Sequence, residues 1–176
     1  MKLKPNILIT GTPGVGKSHL AERVADKLEL KWHNVSEIAK KHKFLEGFDK
    51  VLDCPILDED KIMDHLEPEM EKGGNIVEYH ACEMFPERWF DLIFVIRCSN
   101  TILYDRLTKR KYNEKKLQSN IECEIFQTIL EEAKDSYEED KIHELVNETE
   151  DQLTENISKI DELIKEWLEV QDKENK

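Results

Sequence analysis

The sequence predicts an α/β fold, a central parallel sheet with helices on both faces. Three observations predict it. Strand-like apolar runs alternate with helix-period segments along the whole chain, the pattern of parallel strands joined by helical crossovers. Leu92-Ile93-Phe94-Val95-Ile96 is continuously apolar, as suits a strand covered on both faces. Gly11-Thr12-Pro13-Gly14-Val15-Gly16-Lys17-Ser18 stands between the first strand and the first helix, the setting of a phosphate-binding loop.

Asn6 to Thr10 reads as a short buried strand. After the loop, Leu20, Ala21, Val24, Ala25 and Leu28 mark one face of a helix. Leu30 to His33 is a short strand, and Ser36 is placed to cap a helix over Glu37 to Lys43. Residues 44–57, with Gly47, Asp53 and Pro55, read as irregular. Asp58 can cap a helix running to about Lys72, disturbed at Pro68 and stopped by Gly73-Gly74. Asn75 to His80 is the third strand and Asp91 to Arg97 the fourth. Thr101 to Arg110 is helical, and a basic stretch covers residues 109–116. One long helix is then expected to about Glu139, carrying Leu117, Ile121, Ile125, Ile129, Leu130, Ala133 and Tyr137. Ile142 to Val146 is a fifth strand. The last helix carries Leu153, Ile157, Ile160, Ile164, Trp167 and Leu168, and residues 171–176 read as a frayed tail.

A chain of 176 residues suits one domain. Its 39 acidic and 26 basic residues give a net charge of -13. Strong direct binding of nucleic acid is therefore not expected, because phosphate neutralisation needs an excess of Lys and Arg. A basic protein partner fits this charge. The four cysteines, Cys54, Cys82, Cys98 and Cys123, show no CxxC spacing, so reduced thiols are expected and a zinc site is not. Met1 to Pro5 is too short and polar for a signal peptide. No apolar run approaches the roughly 20 residues of a membrane span.

The glycine loop fits GxxxxGK[ST]. Its glycines let backbone N–H groups turn toward phosphate oxygens, and the following helix points its positive end at the same anion. Lys17 is placed for the β- and γ-phosphates of ATP and the Ser18 hydroxyl for magnesium. A signalling GTPase would add DxxG and NKxD, which are absent from the sequence. Small nucleotide kinases and related ATPases remain. Glu78 ends the third strand, where a carboxylate can hold the magnesium shell or simply face water. His80 shares its face if the strand persists. An imidazole near its ordinary pKa of about 6.5 can order water or an acceptor there, or serve the fold alone. Arg88, Arg97, Arg106 and Arg110 could together stabilise a transferring phosphoryl group, although a surface ion pair is the ordinary role of any one. The basic stretch 109–116 reads as a lid over ATP or as a solvated loop.

The chain resembles the adenylate kinase isoenzyme 6 family over nearly its full length. The shared strings are Pro5-Asn6-Ile7-Leu8 with the glycine loop, Cys54-Pro55-Ile56-Leu57-Asp58-Glu59-Asp60, Tyr79-His80, Phe85-Pro86-Glu87-Arg88-Trp89-Phe90, Tyr112-Asn113-Glu114-Lys115-Lys116-Leu117 and Glu122-Cys123-Glu124-Ile125-Phe126. The resemblance implies a P-loop nucleoside monophosphate kinase fold with a five-stranded parallel sheet. A monophosphate-binding arm near residues 34–57 and a short lid near 109–119 come with it. It implies phosphoryl transfer from ATP to AMP, with dAMP or CMP as further acceptors, alongside ATP hydrolysis. Late maturation of the small ribosomal subunit in nucleus and cytoplasm is implied too, with a basic small-subunit ribosomal protein as partner. A monomer is expected.

By the same resemblance, ATP meets Gly14, Gly16, Lys17, Ser18, His19 and Arg110. The catalytic residues are Lys17, Glu78, His80 and Arg110, and magnesium is held by Ser18 and, through water, by Glu78. Four departures stand out. Glu78 replaces a more usual Asp, Lys111 a glycine, Lys40 an arginine and His19 a threonine. A ribosome-assembly ATPase switch with incidental kinase activity is the alternative reading, and a kinase for another small molecule is a third.

Overall fold

The computed structural model describes residues 2–174; Met1 and residues 175–176 lie outside them. The chain runs β1 (Ile7–Thr10), α1 (Lys17–Leu28), β2 (Lys31–Asn34), α2 (Val35–His42), β3 (Leu45–Asp49), β4 (Cys54–Leu57), α3 (Glu59–Met70) and β5 (Asn75–Glu78). It continues with β6 (Leu92–Arg97), α4 (Asn100–Lys109), α5 (Glu114–Ile125), α6 (Thr128–Ser136), β7 (Ile142–Val146) and α7 (Glu150–Glu174). Short 3-10 turns cover Glu87–Trp89 and Glu139–Lys141.

Five strands form the predicted parallel sheet, in the order β2-β5-β1-β6-β7. Its alternation explains the apolar runs. Ile7 and Ile9 of β1, with Leu92, Phe94 and Ile96 of β6, pack on one face against α1, α4 and α7. Leu8, Ile93 and Val95 pack on the other against α2, α3 and α6. Side chains two apart share a face, so a strand covered twice must be apolar throughout. β1 lies between β5 and β6. The connection from β1 runs to β2 on one side and that from β6 to β7 on the other, so the crevice beyond the carboxyl ends of β1 and β6 is the natural ligand site of such a sheet.

The structure corrects several local expectations. α2 begins at Val35, because the Asn34 side chain rather than Ser36 accepts from the Glu37 N–H. Residues 44–57 are not irregular: β3 and β4 pair as an antiparallel hairpin. Leu45, Phe48 and Ile56 of the hairpin are exposed, so no buried-face alternation marks it in the sequence. Asp58 caps α3 as expected, and the helix carries Pro68 in its last turn. β5 stops at Glu78, so His80 is not on the strand. The expected long helix breaks at Gln127, whose φ of 55° separates α5 from α6. α7 continues to Glu174 where a frayed tail was expected, the last two residues lying outside the described chain. Among the described residues, no helix is long and apolar enough to cross a membrane.

Candidate active site

The P-loop follows β1 and feeds α1. Gly14 and Gly16 hold φ of 96° and 100°, the left-handed region that a Cβ disfavours. Space is short as well. A Cβ on Gly16 would lie 2.5 Å from the Asn147 amide, and one on Gly14 would lie 2.7 Å from the Leu107 side chain. Arg106 braces the loop from behind, donating to the carbonyls of Gly14 (3.3 Å), Asn147 (3.2 Å) and Glu148 (3.3 Å). Lys17 folds across its own loop, donating to the carbonyls of Gly11 (2.8 Å) and Thr12 (3.1 Å). Burial pushes its pKa down to about 8; Glu78 and Glu124 oppose that fall and Arg110 adds to it.

Glu78 ends β5 in register with Ile9, which brings it beside the loop. The Ser18 hydroxyl donates to Glu78 Oε1 at 2.9 Å. Glu78 Oε2 is buried and has no hydrogen-bond partner among the described residues. A buried carboxylate oxygen without a donor is a group that a hydrated cation would satisfy. The donor set therefore fits magnesium bound to Ser18 and, through water, to Glu78.

His80 lies two residues past the strand end, its ring tilted on Tyr79 with centroids 4.1 Å apart. The residue is open to the cleft, yet dense protein around it strips away much of its water. Burial first, then the charges of Lys17 and Lys116, push its pKa down to about 4. The expectation of an imidazole near 6.5 is corrected: His80 is neutral well into the acid range.

The four arginines do not act together. Arg88 makes a forked pair with Glu67 (2.7 and 3.1 Å). Arg97 is held by Glu124 and Glu144, and Arg106 by the carbonyls above. Arg110, exposed at the end of α4, makes no ion pair among the described residues, and its charge is felt at Lys17. His19 is exposed on the first turn of α1, with Nε2 3.5 Å from Glu150. Lys40 is exposed on α2. The basic stretch bends back over the cleft: Asn113 donates to the Val51 carbonyl (3.4 Å) and Lys116 to that of Asp53 (3.1 Å), at the tip of the β3–β4 hairpin. A separate cleft of about 530 Å³, lined by His33, His42 and His65 among others, shares none of these residues.

Two residues at the site escaped the sequence reading. Asn147 is buried against Gly16, and no local pattern announces it. Glu124 is buried in α5 while Ile125 is about half exposed, the reverse of the apolar face expected there. The buried side of α5 thus runs through positions 117, 121 and 124, and its last place is taken by an acid. Its carboxylate accepts from Thr12 Oγ1 (2.6 Å) and from Arg97. The signal was present as an acid at a core position of the helical repeat.

Residues 7–127 match a family model described as an AAA domain. A curated relative from Drosophila melanogaster, an adenylate kinase isoenzyme 6 homolog, is 65% identical over 147 residues, covering 84% of each chain. The Caenorhabditis elegans protein of the same name is 48% identical over 166 residues, covering 93% of this chain and 91% of its own. Among solved structures, a shikimate kinase from Bacteroides thetaiotaomicron superposes with a TM-score of 0.59 at 14% identity, over 92% of this chain and 98% of that one. A gluconokinase from Sinorhizobium meliloti gives 0.57 at 15% identity, over 95% and 97%. At such identities these two speak for the fold alone.

Proposed function

The chain belongs to the adenylate kinase isoenzyme 6 family of nucleotide kinases, and from that premise we propose that it transfers the terminal phosphoryl group of ATP to AMP (ATP + AMP = 2 ADP), or to water when no acceptor is bound. The observation that carries the reading is the Ser18–Glu78 pair, with its orphaned carboxylate oxygen, set beside a buried P-loop lysine. The glycine-loop N–H groups at Gly14 and Gly16 cradle the phosphates. Lys17 exchanges the carbonyls of Gly11 and Thr12 for phosphate oxygens. Ser18, and Glu78 through water, would hold magnesium, which would supply positive charge against the phosphates. Arg110 supplies a guanidinium to the transferring group, and His19 borders the donor site. His80, neutral and open to the cleft, orients the attacking water or acceptor by accepting a hydrogen bond. Residues 34–57 form the arm for the monophosphate of AMP, dAMP or CMP, and residues 109–119 the lid over ATP.

The family premise extends the proposal to late maturation of the small ribosomal subunit, in nucleus and cytoplasm, by a monomer that meets a basic small-subunit ribosomal protein. The charge of -13 supports that partner. One observation favours the switch reading, in which transfer to AMP is incidental. Lys111, with φ 58°, stands at a left-handed hinge position where the resemblance expects glycine, which stiffens the lid. ADP production from ATP, measured with AMP, with the basic ribosomal protein and with neither, tests both. Strong stimulation by AMP supports the kinase. Stimulation by the protein alone supports the switch, and stimulation by neither sinks both.

A further inference from the structure

We propose that Glu124 is a positioning residue for ATP: its buried carboxylate ties Thr12 of the P-loop to α5, so that the loop's grip on phosphate depends on how that helix is seated. This rests on ATP being the ligand of the P-loop.

Glu124 is 3% exposed. One carboxylate oxygen accepts from Thr12 Oγ1 at 2.6 Å and the other from Arg97 Nε. Its backbone carbonyl accepts from the same guanidinium at 3.1 Å. A charge this deep is costly unless fully paired, and an apolar side chain at such a position is generally no less stable. Stability alone therefore does not account for an acid there. Its side-chain partners do: they lie just beyond β1 and at the end of β6, the two strands whose carboxyl ends flank the phosphate site. The Thr12 carbonyl is also the acceptor for Lys17 Nζ (3.1 Å) and for the Val15 N–H (3.3 Å). Fixing the Thr12 side chain thus fixes the peptide that closes the loop's turn and parks its lysine. At its other end α5 reaches the hairpin through Lys116, so the helix is held at both ends of the cleft.

The experiment compares Thr12→Val, Glu124→Gln and the double variant with the parent chain. It measures ATP affinity by calorimetry, Michaelis constants for ATP and AMP, and kcat. Thr12→Val should raise the Michaelis constant for ATP about tenfold, the scale of one hydrogen bond to a charged acceptor, with that for AMP unmoved. Glu124→Gln, which loses the charged acceptor of that bond, should do the same, with kcat and the Michaelis constant for AMP largely kept. The double variant should be no worse for ATP than Glu124→Gln alone, because both act through one bond. Unchanged ATP constants, a Michaelis constant for AMP that rises along with that for ATP, or losses that multiply would overturn the proposal. Thr12→Val keeps the Arg97–Glu124 pair, so it remains informative if Glu124→Gln does not fold. A parent chain that neither binds nor turns over ATP defeats the kinase reading itself. An active parent with indifferent variants defeats only this inference.

Discussion

At the scale of single residues, the charge state of Lys17 sets the strongest expectation. In the proposed function its ammonium is the active form, and burial lowers its pKa to about 8. A lowered lysine pKa means the proton is lost earlier as pH rises. In the free protein kcat/KM for ATP should therefore fall as pH climbs through about 8, while kcat, which reports the nucleotide complex, should hold to higher pH because phosphate charge raises the lysine again. A flat kcat/KM profile to pH 9.5 would contradict this. Lys17→Ala should cost at least about a hundredfold in turnover, the scale of one preorganised charge, with the melting temperature nearly kept. His80→Gly separates chemistry from structure. The ring is open to the cleft and touches Tyr79, so its loss should cost only about 1 kcal/mol of stability. ATP affinity should persist and hydrolysis should fall by about a hundredfold; a stable variant hydrolysing ATP at the parental rate would remove His80 from the mechanism. Lys17, Ser18 and Glu78 were legible in the sequence because motif and strand end locate them. The bracing by Arg106 and the burial of Glu124 were not, because each depends on contacts with residues distant in the chain: Gly14 and Asn147 for the one, Thr12 and Arg97 for the other.

At the scale of elements, strands and helices buried on the sheet were readable because burial imposes a period on their side chains. The β3–β4 hairpin was not, since its apolar side chains face solvent and its register shifts between Leu45 and Gly47. The α5–α6 break was hidden for the opposite reason. Apolar residues continue across it, and only the left-handed Gln127 interrupts the helix. Lys111 is a similar left-handed residue, at the α4–α5 hinge. A side chain there costs about 1–2 kcal/mol, while glycine would lose about 0.5–1 kcal/mol more to chain entropy. Lys111→Gly should thus change stability by no more than about 1.5 kcal/mol. It should free the hinge, so ADP release followed with a fluorescent nucleotide should quicken. An unaltered release rate would show that the hinge does not limit the lid.

At the scale of the whole molecule, charge is divided by place. The chain has 13 more acidic than basic residues, yet Lys17, Arg110 and Lys116 converge on one cleft, where Lys17 feels Arg110 and His80 feels Lys17 and Lys116. Nucleotide phosphates need that local cluster, because the rest of the protein repels them. Elsewhere acidic residues outnumber basic ones: Glu155, Glu162, Glu166 and Glu169 lie exposed along α7. Such a field draws in a basic protein and turns away polynucleotides. Exposed charges are screened over a Debye length of about 10 Å at 0.1 M salt, so the attraction should act mainly on the rate of encounter. Association with the proposed partner, a basic small-subunit ribosomal protein, followed by stopped-flow fluorescence, should slow by about tenfold or more as salt rises from 50 to 300 mM, with the dissociation rate changing far less. RNA of comparable size should bind weakly at every salt concentration. An association rate indifferent to salt would mean that contact is driven by apolar burial, with the exposed Leu45, Phe48 and Ile56 of the hairpin as its first candidates, and the net charge would then have no part in choosing the partner.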